Sequence, residues 1–521
     1  MALTTGGGGG PRTAAVLAVC AVVLAPTLAF RMGVDQGVFA YMGAALLEGK
    51  WPYLQTWESD FPGLVFLQAG EILVFGRSGV AFRFFDLLVQ LASAYLIFRM
   101  ATRTGGRVAG LVAAVLFCLI YQGYGPWNTA QRDGFGLLFI LAGFWLYFTA
   151  ERRQPVLTAA FIGLGLGVAF LIKPTLLALS LLYAPLVKHL RSGRGLTLAA
   201  TAAAALIAPA AVVIAAYWVA GGLTEMYEAC VAYQSIYTAR LRGTAPFWTI
   251  WLQRAGHLGL NAWVLLVAYV PFLFWRHDRE ARLMLWLGYV GSVYAVWVQG
   301  TFAGYHYLPG LAIGSILIGS MFSLVAGRML NGMEIRLGRS RVSATVLVAV
   351  ALMIAASFVY MRKAPIREFA SLRFLGPPVA NEFRIDPVFD FTESYEVAAY
   401  LRQRTRPEDS IQIWGYESLV YYLAERDAAS RFQMTHPLVM RIPGQPLTPM
   451  QERWRAEFIS DLTKRPPAYI AVVRGDRWWW APEERTSEEL LNDFPEWKAL
   501  IEQHYALDHT IGRYLVFRRV T

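Results

Sequence analysis

Four carboxylates lie close to the ends of apolar segments in the first 135 residues. They are Asp35, Glu58, Asp60 and Asp133. A carboxylate at such a place can accept a proton from a hydroxyl group or hold a hard cation. A carboxylate at a helix start can instead be a simple cap, and one in a loop can be merely solvated. We interpret the four residues as candidate catalytic side chains.

A second set of side chains could bind an anion. It consists of Lys173, Arg240, Arg242, Tyr305, His306 and Tyr307, the last three in the stretch AGYHYLPG (303–310). Lysine and arginine bind phosphate, whereas histidine and tyrosine can donate hydrogen bonds to it. The alternatives are a lysine that reaches the membrane interface, a packing histidine and interfacial tyrosines. Arg83 and Asp86, three residues apart, are better explained as a structural pair.

The composition indicates which elements must position these residues. Of the 521 residues 56 % are hydrophobic and only 16 % are charged, against about 25 % in soluble proteins. The chain is therefore predicted to be a polytopic α-helical membrane protein. The net charge of +11 lies mainly in short loops, so it indicates topology and not a nucleic-acid partner.

Apolar runs long enough to cross a bilayer predict about eleven transmembrane helices. They lie near residues 13–31, 80–100, 107–123, 134–150, 156–172, 174–190, 196–220, 256–275, 283–299, 305–326 and 342–361. Basic residues concentrate in alternate loops, which predicts a cytoplasmic N-terminus and an extracytoplasmic C-terminus. This orientation places all the candidate residues on the outer side, where we expect one shared cavity.

The first outer loop and the C-terminal region have their own predicted structure. Segments 37–48 and 61–76 are too short or too polar to span, and we expect helices lying in the membrane interface. Residues 1–361 then form a transmembrane catalytic module. Residues 362–521 alternate helix and strand signals, with strands at 411–415, 469–473 and 513–519, and predict a small extracytoplasmic α/β domain.

Several motifs, in this order, resemble those of the GT-C membrane glycosyltransferases. They are DQGVFAYMGAALLEGKWPYLQTWESDFPG (35–63), RDGF, LIKPTLLAL, YHYLPG and IQIWGYESLVYYLAER. The chain is most similar to bacterial aminoarabinose transferases and protein O-mannosyltransferases. The resemblance implies transfer of a sugar, with inversion, from a polyprenyl-phosphate donor to a hydroxyl of a cell-envelope lipid, glycan or protein. It also implies a location in the bacterial plasma membrane.

The resemblance assigns a role to each matching position. Asp35 matches the aspartate proposed as the base, and Asp133 matches the acidic residue of the second outer loop. Lys173 matches a lysine that faces the donor phosphate, and Tyr305 or Tyr307 matches the tyrosine that precedes Leu-Pro. Glu58 or Asp60 matches a second acidic position, but this chain has Ser-Asp where the aminoarabinose enzyme has a lysine. That departure leaves open the acceptor and any divalent-metal site formed by Glu58, Asp60 or His306.

Two other classes of protein compete with this interpretation. A transporter or flippase of lipid-linked sugar would place polar groups near the bilayer midplane and show internal symmetry, whereas here they cluster on one side without repeats. A non-catalytic relative that only binds lipid-linked sugar is the other alternative.

Overall fold

The computed structural model describes most of the chain, in several ranges. These are residues 10–150, 154–191, 193–242, 279–301, 303–330, 334–337, 340–343, 369–372, 375, 391–477 and 485–520. The predicted span at 256–275 lies outside the described residues, and so does that at 342–361 except for its first two residues, which end the strand Ser340–Ser343. The count of about eleven spans therefore stays a prediction.

The described chain is mainly helical. Its α-helices are α1 (Gly10–Leu24), α2 (Val34–Leu47), α3 (Gly63–Phe75), α4 (Gly79–Gly123), α5 (Gly125–Asn128), α6 (Arg132–Ala150), α7 (Pro155–Ile172), α8 (Gly195–Val219), α9 (Leu223–Tyr227), α10 (Tyr233–Arg242), α11 (Arg279–Gln299), α12 (Leu308–Met329), α13 (Thr392–Arg404), α14 (Leu419–Ala424), α15 (His436–Val439), α16 (Pro449–Lys464), α17 (Ser487–Leu490) and α18 (Pro495–His504). Segments of 3₁₀-helix cover Ala25–Ala29, Pro174–Arg191, Gly304–Tyr307 and Leu491–Asp493, and a π-helical turn covers Glu228–Ala232. The strands are β1 (Glu334–Leu337), β2 (Ser340–Ser343), β3 (Ser410–Trp414), β4 (Asp427–Ala428), β5 (Tyr469–Val473), β6 (Tyr505–Ile511) and β7 (Tyr514–Arg519).

Two compact units divide the chain. The helical unit comprises residues 1–30, 83–211 and 250–375, and the sheet unit comprises residues 31–82, 212–249 and 376–521. The sheet unit thus includes the segment of α2, α3 and the loop between them. The predicted boundary between residues 361 and 362 stays a prediction.

Within the described residues, five helices are long and apolar enough to cross a membrane, or up to six if a bent pair counts as one span. The five are Gly79–Gly123, Pro155–Ile172, Gly195–Val219, Glu280–Gln299 and Gly304–Ser323. The first is interrupted at Gly106, whose φ of +85° is not helical. Glycine adopts this conformation without steric cost, so the two parts of α4 match the predicted spans 80–100 and 107–123. The predicted span 174–190 is 3₁₀-helical.

Close backbone approaches stabilise the helical unit. A Cβ atom on Gly163 would come within 2.1 Å of the Ala202 carbonyl oxygen, and one on Gly291 within 2.3 Å of the Ala178 carbonyl oxygen. Membrane helices associate through small residues because lipid provides no hydrophobic driving force between them. The glycines therefore allow contacts that any larger side chain would prevent.

The sheet unit contains a five-stranded sheet of order β4-β3-β5-β7-β6. β3 is parallel to β4 and β5, and β7 is antiparallel to β5 and β6. Strands β3 and β5 are buried at every residue, as expected for a sheet covered on both faces. The three strands predicted from sequence are confirmed as β3, β5 and β7.

Helices α2 and α3 pack within the sheet unit. A Cβ on Gly37 of α2 would lie 2.5 Å from Leu419 Cα of α14, and one on Gly43 would lie 2.9 Å from the Ala69 nitrogen of α3. The helices predicted at 37–48 and 61–76 are therefore present. Their place at the membrane interface stays a prediction.

Candidate functional site

A buried ion pair joins two of the predicted residues in the helical unit. Asp133 lies in the first turn of α6, and Lys173 follows the last residue of α7. Lys173 Nζ donates to Asp133 Oδ2 at 2.6 Å, and the two side chains are only 5 % and 2 % exposed. A pair so shielded from water interacts far more strongly than one on the surface.

Aromatic residues before α12 extend this cluster. Lys173 Nζ lies 5.3 Å from the centroid of the Tyr305 ring, and the Tyr305 and His306 rings meet edge to face at 4.5 Å. His306 Nδ1 shares a hydrogen bond of 3.2 Å with Thr301 Oγ1. Tyr307 is half-buried and packs against the apolar pair Ile120 and Leu311. The structure thus brings Asp133, Lys173, Tyr305 and His306 together, which we call the lysine cluster.

Arg83 and Asp86 both support the corner that leads into α6. The Arg83 guanidinium donates to the carbonyl oxygens of Phe30 and Pro126 and to Thr129 Oγ1, at 3.0 to 3.1 Å. Asp86 Oδ1 accepts from Tyr121 Oη at 2.6 Å, and the same Tyr121 oxygen accepts from the Ala130 amide at 2.7 Å. Ala130 has a φ of +54°, which is uncommon for a residue other than glycine. Sequence reasoning found a structural role for Arg83 and Asp86 but missed their shared target, the corner before Asp133.

The other predicted carboxylates lie in the sheet unit. Asp35 is half-buried in the first turn of α2, and Tyr416 Oη donates to Asp35 Oδ1 at 3.2 Å. Burial raises the pKa of Tyr416 well above its usual value, and the negative charges of Asp35, Glu58 and Asp60 raise that pKa further. Tyr416 therefore stays protonated as a donor near three carboxylates. We call Asp35, Glu58, Asp60 and Tyr416 the carboxylate cluster.

Glu58 and Asp60 belong to a compact loop between α2 and α3. Glu58 is only 4 % exposed, and its Oε1 accepts from the Ser59 amide at 2.7 Å and from Ser59 Oγ at 3.1 Å. Asp60 is half-buried, and its carbonyl oxygen accepts from Tyr53 Oη at 2.6 Å. The two carboxylates therefore project from a hydrogen-bonded loop and not from a freely solvated one.

The two candidate arginines, Arg240 and Arg242, both belong to α10. Arg240 is half-buried in α10 of the sheet unit. The side chain of Arg242 lies outside the described residues. Their role in phosphate binding stays a prediction.

Metal ligation has little support in the part of the chain that the structure describes. Among those residues, no three His, Cys, Asp or Glu side chains are grouped as a metal ion would require. Glu58, Asp60 and His306 accordingly form no such group. A divalent-metal site therefore stays a prediction.

Tyr416 and His436 are the residues of this region that sequence reasoning missed. Tyr416 follows Gly415 at the carboxyl end of β3, the end of a parallel strand where ligands usually bind, so its place after IQIWG was a usable signal. His436 is buried, and its ring contacts Trp57 and Tyr233 at 5.2 and 5.3 Å. Burial lowers the pKa of His436 to about 3, so this histidine is neutral and serves packing.

Comparisons with known proteins give one family model that matches part of the chain and several similar solved structures. Residues 60–218 match the family described as dolichyl-phosphate-mannose-protein mannosyltransferase. No curated protein sequence matches the chain.

Solved structures match over nearly the whole chain. ArnT from Cupriavidus metallidurans in the apo state is 13 % identical, with a TM-score of 0.59 and 97 % of each chain covered. The same enzyme bound to undecaprenyl phosphate gives 13 % identity and a TM-score of 0.57 over 98 % of this chain and 97 % of that one. An Archaeoglobus fulgidus oligosaccharyltransferase tethered to an acceptor peptide gives 13 % identity and a TM-score of 0.50 over 98 % and 74 %. The chain thus has the GT-C membrane fold and resembles the ArnT and protein mannosyltransferase group, as its motifs predict.

Proposed function

We propose that the protein is a glycosyltransferase that moves a sugar from a polyprenyl-phosphate donor to a hydroxyl group of a cell-envelope acceptor. Its fold is that of enzymes of this kind, and one similar structure holds undecaprenyl phosphate. The description of the matched family also names a sugar donor that is a lipid phosphate. The proposal places the reaction at the outer face of a bacterial plasma membrane.

The observation that carries the proposal is the buried pair of Lys173 and Asp133. The ammonium of Lys173 is buried next to the Tyr305 ring in an apolar helical unit. Burying a charge there costs free energy, and such residues usually have a function. A phosphate that leaves the sugar gains negative charge, and a preplaced cation shielded from water stabilises that charge by several kcal/mol. We assign Lys173 to the donor phosphate and Asp133 to holding the ammonium in place.

The carboxylate cluster supplies the base. The acceptor oxygen attacks the anomeric carbon, the bond from that carbon to the phosphate oxygen breaks, and its electron pair stays on the phosphate. The proton of the acceptor hydroxyl passes to Asp35, which is only half-buried and so can be reached by a substrate. The hydrogen bond that Tyr416 donates to Oδ1 holds this carboxylate in place. Attack opposite the phosphate gives inversion at the anomeric carbon.

The decisive experiment follows the label on the sugar. Purified protein in detergent is incubated with a panel of radiolabelled polyprenyl-phosphate sugars and cell-envelope extract, with and without EDTA. Transfer or slow hydrolysis of one sugar supports the proposal and names the donor, and loss of transfer in EDTA supports a divalent ion bound with the donor phosphate.

The rival functions predict different results. A binder retains every label on its carrier, and Asp35→Asn leaves its donor affinity and function unchanged. A flippase moves lipid-linked sugar across a vesicle membrane without releasing it. Either result, with folded protein, would overturn the proposed transfer.

A further inference from the structure

The loop that carries Glu58 and Asp60 is held by side chains distant in sequence. We define residues 51–62 as the acidic loop. Side chains that donate hydrogen bonds to its backbone lie in the segment 429–435, which follows β4, in α10 and in the π-helical turn that holds Cys230. We propose that Gln433 is a positioning residue that fixes the backbone of Trp57 and so the placement of Glu58; the catalytic part of this inference rests on the proposed function.

Gln433 binds both backbone groups of one residue. The Trp57 amide donates to Gln433 Oε1 at 2.7 Å, and Gln433 Nε2 donates to the Trp57 carbonyl oxygen at 2.6 Å. Gln433 is completely buried. A terminal amide is suited to this clamp because one end of the side chain both donates and accepts. The two hydrogen bonds resemble those between paired residues of neighbouring β-strands, but here a single side chain makes both.

The Trp57 ring adds a second restraint. It is fully buried and meets the rings of Tyr233, His436 and Trp454 at 5.0, 5.2 and 5.7 Å. Residue 57 is therefore fixed through both its backbone and its side chain. Glu58 is the next residue, so its Cα position follows directly from the clamp.

Neighbouring carbonyl groups of the acidic loop also accept from side chains outside it. Arg431 Nη1 donates to the Tyr53 carbonyl oxygen at 2.8 Å, and Gln234 Nε2 donates to that of Ser59 at 3.0 Å. Arg431 is itself fixed by two bonds of 2.6 and 2.8 Å to Glu457. Tyr53 has a φ of +68°, a conformation that costs energy in a residue with a Cβ. The loop thus depends on external donors for its shape: Gln433 binds the residue before Glu58, and Gln234 binds the residue after it.

Loss of the clamp has a predictable consequence. Without Gln433, a buried N–H and a buried C=O of Trp57 lose their partners, and the loop must shift to reach others. Glu58 belongs to the carboxylate cluster around the proposed base Asp35, and a misplacement of about 1 Å in an active site can lower the rate by about 10²-fold. We expect Gln433→Met to lower kcat by about ten- to a hundredfold and to change KM much less.

The test compares Gln433→Met with Gln451→Met in the full-length protein. Gln451 is equally buried, donates to the carbonyl oxygens of Pro437 and Met440, and makes no hydrogen bond to the acidic loop. Hydrogen exchange of peptides covering residues 51–62 is measured by mass spectrometry, together with kcat and KM. Faster exchange in that peptide and lower kcat in Gln433→Met, but not in Gln451→Met, is the expected result. Unchanged exchange in Gln433→Met, or equal effects in both variants, would overturn the inference.

A third variant separates positioning from simple loss of stability. A protonated glutamic acid has one donor and one acceptor like the amide, whereas the ionised form lacks the donor. The activity of Gln433→Glu relative to wild type should therefore increase as the pH falls. A constant or falling ratio would contradict the clamp. Exchange is measured even if the wild type transfers no sugar, so failure of the proposed function and failure of the clamp give different results.

Discussion

Removing one partner of the Lys173–Asp133 pair should destabilise the helical unit strongly. At an effective dielectric constant of about 20, charges 2.6 Å apart attract by roughly 6 kcal/mol, which offsets the cost of desolvating both. A single substitution leaves the other charge buried without its partner, and such changes cost about 3–5 kcal/mol. We expect this loss for Lys173→Met and for Asp133→Asn.

The double variant Lys173→Met with Asp133→Leu tests the origin of the loss. It removes both charges, so no uncompensated ion is left and the protein should be more stable than either single variant. A thiol-reactive dye reports unfolding in detergent, because the cysteines of the described chain (Cys20, Cys118 and Cys230) are buried and free. Sugar transfer is measured on the same samples.

Two results would refute the reasoning. Single variants that lose less than about 1 kcal/mol would show that the pair is effectively solvated. A double variant that is stable and still transfers sugar at the wild-type rate would show that Lys173 stabilises the fold without acting on the donor phosphate. A stable and inactive double variant is the expected outcome.

Three further predictions test other parts of the molecule. Asp35→Asn should abolish transfer while donor binding persists, whereas Tyr416→Phe, which removes the 3.2 Å hydrogen bond to Asp35 and keeps the carboxylate itself, should reduce kcat by about tenfold or less. Normal turnover by Asp35→Asn would contradict the assigned base. Gly37→Ala should destabilise the sheet unit, because its Cβ would lie 2.5 Å from the backbone of α14, whereas Gly70→Ala, with no atom within 4 Å, should not; equal thermal midpoints would refute this packing. Burial raises the pKa of Glu71 to about 8, so the protein should lose stability as the pH rises from about 5 to 8 and the buried carboxyl has to ionise. The thermal midpoint of Glu71→Gln should fall less than that of the wild type over this range. Parallel curves for the two proteins would contradict the prediction.

Local sequence patterns predicted several of the strands and some of the residues that lie together in the candidate site. Strands β3, β5 and β7 follow from short apolar runs, and the grouping of Asp133, Lys173 and His306 follows from their positions at helix ends on one predicted side. The strand β6 was missed, because the helical pattern of α18 continues to Tyr505 while tertiary pairing with β7 takes over at that residue. Thr392 is of a residue type that often caps helices, but here it is the first helical residue, and Phe391 takes the cap position without a side-chain bond.

Long-range partners could not be predicted. Tyr416 binds Asp35 across 381 positions, and Gln433 binds Trp57 across 376. Periodicity and motif spacing report on contacts a few residues apart, and no pattern in a single sequence specifies which distant amide meets which backbone. The carboxylates were therefore found, but the groups that orient them were not.

These long-range contacts change the expected role of the C-terminal region. The Met32 amide donates to Tyr395 Oη at 3.0 Å, Lys50 pairs with Asp427 at 2.5 Å, and Arg77 Nη2 donates to the Tyr422 carbonyl oxygen at 2.9 Å. Bonds of this kind lie at the start of the segment 31–82, in its middle and at its end. The segment that carries the proposed base is thus part of the core of the sheet unit. A chain cut before α13 would leave buried donors and acceptors of that segment without partners, so it should lose transfer activity through a disordered first loop, even for an acceptor as small as water.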